Sequence, residues 1–187
     1  MIFKTSVSFI VIFILTSVII NAQFRNSTWG DTREEVMIVE GRVDTGPNWL
    51  VYESQAGGKK AFILFIFIDD SLELGSYIFS ENHNNNIQYL YDFHEINELI
   101  AKRHGEPRRK IEIITHNSDI ASRSDLNELQ KLELGAISFR SVWFIENTTI
   151  THHLRREDDD KPKLLHTVSY QSDTYREKSE QQRVRDF

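Results

Sequence analysis

Cysteine is absent from the 187-residue sequence, and proline and methionine are scarce, with three and two residues respectively. Without cysteine the chain can form no disulfide framework and offers no thiol nucleophile. Lipid attachment at a lipobox-type site also requires a cysteine, so a bacterial lipoprotein is excluded. The fold must therefore be stabilised by its own hydrophobic core, and the chain is long enough for one domain.

Basic residues are fewer than acidic ones: Lys and Arg number 22 and Asp and Glu number 28, for a formal net charge of −6. Non-specific binding to nucleic acid requires a basic face, so this balance argues against a nucleic-acid partner. The sequence also lacks a Gly-x-Ser-x-Gly elbow, a Ser-x-x-Lys motif and a Gly-rich phosphate loop. We therefore expect neither an enzyme nor a cofactor, and we assign no catalytic residue.

The longest apolar run covers residues 7–20, and it follows Lys4 and precedes Ala22. A basic start, an apolar middle and a small residue at the cleavage point are typical of a secretory signal peptide. The run is shorter than the ~20 residues of a spanning helix, although an uncleaved anchor is the alternative. We predict cleavage after Ala22, a secreted or periplasmic protein, and membrane contact only through an uncleaved signal segment.

The rest of the chain divides into one patterned region and one polar end. Residues 23–173 contain the apolar periodicity of a single domain, whereas residues 174–187 are nearly all polar and have no apolar period. A polar end of this kind is typical of a solvated or fraying tail. We therefore predict a signal peptide over residues 1–22, one domain over residues 23–173 and a tail over residues 174–187.

Two capping boxes predict helix starts. The side chains of Thr32 and Glu35 can each accept a hydrogen bond from the other residue's backbone amide. This pattern predicts a helix over residues 33–40 that ends at Gly41. Asp92 and Glu95 have the same spacing, and they predict a second helix whose end is marked by Gly105. A third, shorter helix is predicted over residues 125–134.

Seven segments have the apolar pattern of strands. The Gly57-Gly58 pair predicts a tight hairpin between residues 50–56 and 59–68. The other predicted strands cover residues 72–79, 111–115, 137–146, 149–155 and 164–170. Together the segments predict an α+β fold, with an antiparallel sheet and two or three short helices packed on one side.

The last predicted hairpin brings two histidines together. The register that pairs Leu154 with Leu164 also places His152 directly opposite His166. A shift of one residue would instead place Arg155 opposite Leu164 and lose the apolar face, so we reject it. A two-residue turn at residues 147–148 would place Trp143 opposite His152. The sequence thus predicts a row of Trp143, His152 and His166 across three strands.

This row has two competing interpretations. Two imidazoles could ligate a metal, but a stable zinc site needs three or four protein ligands and spacing reveals no third. We favour a packing role, with a pH response below about pH 6, where protonation of two close imidazoles becomes unfavourable. His153 points to the other face, so it does not chelate together with His152.

The acidic run at residues 157–160 lacks the spacing of an EF-hand loop and predicts a solvated hairpin tip.

The start of the predicted domain resembles known exported proteins. Its motif, W-G-x-[S/T]-x-E-E-V, resembles the opening of uncharacterised small exported bacterial α+β proteins, as does the helix end at residues 99–107. The motif residues are Trp29, Gly30, Thr32, Glu34, Glu35 and Val36. More distantly, the pattern resembles modules of outer-membrane assembly lipoproteins, which use a cysteine that this chain lacks, and β-lactamase-inhibitor-like domains. The resemblance implies a fold and a compartment, and no functional residue is carried over.

These observations predict an exported, non-catalytic module that binds another envelope or extracellular molecule, for example a protein. The alternative is a small metal-binding protein or hydrolase that uses His152 and His166. A third class is an inhibitor or immunity-like protein, since an acidic chain suits a basic target.

Overall fold

The computed structural model describes residues 24–41, 44–157 and 163–185. The predicted signal peptide and residues 158–160 of the predicted acidic tip lie outside these ranges. The chain order is α1 (Arg33–Glu40), β1 (Asp44–Thr45), β2 (Trp49–Ala56), β3 (Lys59–Ile68), β4 (Ser71–Phe79), α2 (Ile87–His104), β5 (Arg109–Thr115), α3 (Ser118–Ala121), α4 (Glu128–Glu133), β6 (Ile137–Ile145), β7 (Thr148–Glu157), β8 (Lys163–Ser172) and α5 (Tyr175–Arg185). None of the helices in the described ranges combines the length and apolar character needed to cross a bilayer.

All eight described strands belong to one antiparallel sheet with the order β1-β2-β3-β4-β8-β7-β6-β5. Each half of the sheet is a meander, and β8 returns to pair with β4 and join the halves. Helix α2 connects them and lies against β6, β7 and β8. The predicted α+β class, the antiparallel sheet and the single domain are confirmed, although the described helices number five.

The first predicted helix and hairpin are confirmed. Helix α1 covers Arg33–Glu40, and Thr32 accepts from the Glu35 amide while the Glu35 side chain accepts from the Thr32 amide. Gly41 follows the helix with a φ of 81°, which a residue with a side chain rarely adopts. The Gly57-Gly58 turn joins β2 to β3 at the predicted position.

The predicted start of the second helix is wrong. Helix α2 begins at Ile87, and Asp92 lies inside it as a buried residue. The Asp92 carboxylate forms ion pairs with Lys59 and His83 instead of capping an amide, so the capping-box pattern is coincidental here. The predicted end is confirmed, because α2 stops at His104 and Gly105 has a φ of 83°.

Within the predicted polar tail, Tyr175–Arg185 forms helix α5, and none of residues 175–184 is buried. Lys178 of this helix forms an ion pair with Glu73, a carboxylate that is only 2% exposed. A bulge in β4 leaves the backbone of Glu73 without a paired residue on β3. The Glu73 carboxylate also accepts hydrogen bonds from the hydroxyls of Ser71, Ser172 and Thr174. A single buried acid therefore ties the polar C-terminal helix to the sheet.

One face of the sheet, which we call the inner face, carries the main core. Phe24, the first described residue, is fully buried there against Phe65, Tyr77 and Tyr170, with ring centroids 5.2, 5.0 and 5.4 Å away. A Cβ on Gly75 would lie 2.0 Å from the Phe24 ring, so only glycine leaves room for it. The segment before α1 is thus part of the core.

Candidate functional site

The register of the last hairpin differs from the predicted one by two residues. His152 lies opposite Val168, and His166 lies opposite Leu154, so the predicted direct opposition of the two histidines is wrong. A one-residue slip would move the apolar side chains to the other face, whereas a two-residue slip keeps them on the inner face. The apolar pattern therefore selects the face but not this register. The two histidines become diagonal neighbours on the same face.

The predicted position of Trp143 is wrong for a related reason. The turn between β6 and β7 is formed by residues 146–147, one position earlier than predicted, so Trp143 pairs with Ile150. The residue opposite His152 is Ser141. Trp143 is instead buried in the main core, where its indole Nε1 donates to the Gly105 carbonyl at 3.0 Å. The predicted three-residue row does not form.

His152 and His166 nevertheless contact each other, and we call them the inner histidine pair. Their Nε2 atoms are 2.7 Å apart, so one ring must donate a proton and the other must accept it. His152 Nδ1 lies 3.2 Å from the Asn97 Oδ1 atom on α2, which is an acceptor. His152 therefore donates to Asn97 through Nδ1 and accepts from His166 through Nε2. This arrangement requires His152 to be neutral, and it requires His166 to carry a proton on Nε2.

The surroundings of the inner histidine pair favour the neutral forms. The Phe93 ring stacks on His152 at a centroid distance of 4.1 Å, and the Phe79 ring lies 4.3 Å from His166. The exposed fractions of His152 and His166 are 0% and 2%. Burial, followed by the neighbouring His166, holds the pKa of His152 well below its usual range. Burial lowers the pKa of His166 to about 3, although the Asp92 charge opposes this shift.

A charged group that the sequence pattern did not reveal lies beside the pair, and we call it the Asp92 cluster: Lys59, Glu81, His83, Asp92 and Glu95. Asp92 contacts Lys59 Nζ at 2.7 Å through Oδ1 and His83 Nε2 at 2.6 Å through Oδ2. Burial disfavours the charged carboxylate, but hydrogen bonds from Lys59 and His83 outweigh it and lower the pKa of Asp92. Lys59 also contacts Glu95 at 2.9 Å.

The Asp92 cluster contains the one group of three possible metal ligands found among the described residues, namely Glu81, His83 and Asp92. Their ligand atoms all lie within 4.8 Å of one another. His152 and His166 do not belong to the group. Glu81 and His83 were missed because the sequence around them has the composition of a loop, and the false capping box assigned Asp92 another role.

A cleft of about 290 Å³ opens between α2 and the inner face of the sheet. Most of its lining is apolar and comes from Ala56, Phe79, Ile96, Leu99, Ile100 and Val168. Its polar lining residues include Arg103, Tyr77 and Tyr170. Burial raises the pKa values of both tyrosines; Arg25 and then Arg103 oppose the increase for Tyr77, and Arg103 opposes it for Tyr170. Both phenols therefore stay protonated at neutral pH and can donate hydrogen bonds.

A second set of histidines lies on the other face of the sheet, and we call it the outer histidine cluster: His116, Ser138 and His153. The Nε2 atoms of His116 and His153 lie 2.9 and 3.1 Å from the Ser138 hydroxyl. The alternation of side chains along β7 indicates the outward position of His153, but no sequence pattern links it to His116. Burial lowers the pKa of His153 to about 4, with help from the charges of Arg155 and Arg140.

No family model, no curated protein and no solved structure matches the chain. The cleft, the Asp92 cluster and the two sets of histidines must therefore be interpreted from their own chemistry.

Proposed function

We propose that this chain is an exported, non-catalytic binding module whose ligand is a small amphipathic anion held in the cleft between α2 and the sheet. The observation that carries this proposal is the pairing of an apolar cleft with Arg103, Tyr77 and Tyr170. Ligand sites commonly combine a mostly apolar lining with a few polar groups that fix orientation. An apolar ligand body would contact the α2 side chains, while an anionic head would contact Arg103.

The polar groups suit binding better than chemistry. Arg103 has no ion-pair partner among the residues that the structure describes, so its charge is free to meet an anion. Tyr77 and Tyr170 have raised pKa values, so they can donate to a carboxylate but do not act as bases at neutral pH. The volume of about 290 Å³ lies near the lower limit of ordinary ligand pockets, which favours a small ligand.

Calorimetric titration with decanoate and with decanol tests the proposal, because the two probes share an alkyl chain and differ in charge. We expect decanoate to bind more tightly than decanol. Arg103→Gln should weaken decanoate binding by about 10- to 150-fold, since a charged hydrogen bond contributes about 1.5–3 kcal/mol, and should leave decanol binding unchanged. Lys102→Gln is the matched control, because Lys102 is an exposed cation beside Arg103 on α2.

Equal decanoate affinity in the Arg103→Gln and wild-type proteins would contradict the proposed anion site, as would an equal loss in Lys102→Gln.

Export is tested separately by expressing the full chain in a bacterium and sequencing the N-terminus of the extracytoplasmic protein. We expect a mature chain that begins at Gln23, in agreement with the apolar run and Ala22. Retention of an intact chain in the cytoplasm would contradict export.

A further inference from the structure

We propose that Glu81, His83 and Asp92 form a zinc-binding site at the edge of the inner face, independent of the ligand cleft. One imidazole and two carboxylates make three protein ligands, which is the number found in zinc sites that keep an open position. The three ligand atoms lie within 4.8 Å of one another. Tetrahedral coordination with bonds of about 2.0–2.2 Å therefore requires only small side-chain rotations.

The charge balance of the Asp92 cluster favours a divalent cation. Among the ion pairs of the described residues, Lys59 is the ammonium group that contacts Asp92 and Glu95, and Glu81 forms none. The negative charge therefore exceeds the positive charge around His83. Lys59 uses the Oδ1 atom of Asp92, so the Oδ2 atom can bind zinc while Lys59 keeps both of its carboxylate partners.

Neighbouring groups hold the three ligands in place. The His83 ring packs edge-on against Tyr89 at a centroid distance of 4.7 Å, and the Lys60 amide donates to Glu81 Oε1 at 3.0 Å. Asp92 is fixed within α2, the longest helix described. Such supporting contacts orient metal ligands and strengthen binding. His83 Nε2 already points at the Asp92 carboxylate, so the imidazole and carboxylate need only separate slightly to admit the ion.

Competition between the protein and a chromogenic zinc chelator at pH 7.5 tests the site with zinc alone. We expect one zinc ion per chain. His83→Ala should weaken binding by more than about 100-fold, because even the loss of a supporting contact costs about 10–100-fold. Glu81→Gln should also weaken it, and this variant keeps the Lys59–Asp92 ion pair intact. His94→Ala is the matched control, since His94 is an exposed histidine of α2 outside the cluster.

Both variants leave His152 and His166 unchanged, so they also distinguish zinc binding at the proposed site from zinc binding at the inner histidine pair. Wild-type zinc binding that survives both His83→Ala and Glu81→Gln would overturn the proposal, as would the absence of binding in the wild-type protein. Thermal unfolding supplies an independent measurement: zinc should raise the Tm of the wild-type and His94→Ala proteins but not that of His83→Ala. Decanoate binding is measured on the same variants, and it should not change with His83→Ala.

Discussion

His152 and His153 are adjacent in sequence, yet they belong to two regions that differ in almost every physical respect. His152 points to the inner face, where it contacts His166 and is covered by the Phe93 ring. His153 points to the outer face, where it shares the Ser138 hydroxyl with the exposed His116. The inner histidine pair is sealed by aromatic rings, whereas the outer histidine cluster includes a residue open to solvent.

The groups packed around a histidine, and not its place in the sequence, set its exposure and its pKa. Burial is the largest cause of the lowered pKa in both regions. The next cause differs: cationic Arg155 lowers the pKa of His153, whereas anionic Asp92 raises that of His166. A cavity of about 200 Å³ beside the outer histidine cluster is lined by His116 and Arg155, among others.

Replacement of an inner histidine should have the largest effect on stability. We expect His166→Ala to lower the free energy of unfolding by about 3 kcal/mol, because it creates a cavity and removes the partner of His152 Nε2. Urea denaturation at pH 7.5 measures the change. His94→Ala, which alters an exposed histidine, is the control. A loss below about 1 kcal/mol would show that the inner histidine pair contributes little to the core.

Acidification should destabilise both regions, over different pH ranges. His153 and His166 have lowered pKa values in the folded protein and titrate near pH 6.5 when unfolded, so the stabilisation that each contributes is complete above that pH and falls as the pH is lowered. The loss of unfolding free energy with falling pH should level off near pH 4 for His153 and near pH 3 for His166, at their pKa values in the folded protein. At pH 5 we expect about 2 kcal/mol less stability per histidine.

Unfolding curves between pH 7.5 and pH 3.5 measure this dependence. His153→Gln should reduce the slope between pH 6.5 and pH 4 and leave the slope below pH 4 unchanged. A profile of wild-type stability that is flat between pH 7 and pH 5 would contradict the assigned neutral states in both regions.

Removal of the outer hydroxyl should have a smaller effect. Ser138→Ala deletes the atom that His116 and His153 share, and we expect a loss of about 1 kcal/mol in the free energy of unfolding. The loss is modest because His116 is exposed and water can replace its partner. Urea denaturation measures the change, and Ser118→Ala, at an exposed serine, serves as the control. A loss as large as that of His166→Ala would remove the distinction between the two regions.

The smallest effect is expected for His116→Ala, below about 0.5 kcal/mol, since exposed substitutions seldom change stability further. Carbethoxylation with diethyl pyrocarbonate, followed by mass spectrometry, should modify His116 in the folded protein before His152 or His166. Equal rates of modification at the three residues would show that the aromatic cover of the inner histidine pair opens readily.

Local features of the fold could be predicted from the sequence, whereas long-range partners could not. The Thr32–Glu35 capping box and the Gly57-Gly58 turn depend on neighbouring residues, and both are confirmed. The second capping box failed because Asp92 instead contacts His83 and Lys59, and Lys59 lies on a distant strand. Sequence spacing does not indicate such a long-range contact, so the Asp92 cluster could not be predicted from the sequence.

The candidate site was predicted only in part, for a reason that lies in strand geometry. The alternation along β7 and β8 correctly placed His152 and His166 on one face, but it could not distinguish registers that differ by two residues. Helix α5 was missed because it has no apolar stripe of its own. Its contact with the sheet includes the Lys178–Glu73 ion pair, a feature without periodicity.

The burial of Phe24 has a consequence for the order of events in biosynthesis. The Phe24 ring packs against the rings of Phe65, Tyr77 and Tyr170. Residues from the start and the end of the domain must therefore meet before the core is complete. Contacts between distant residues form late, because closing a long loop costs entropy. A ribosome-bound chain that lacks β8 also lacks Tyr170, one of the three aromatic rings that surround Phe24. The domain therefore stays incompletely folded until nearly all of it has been synthesised.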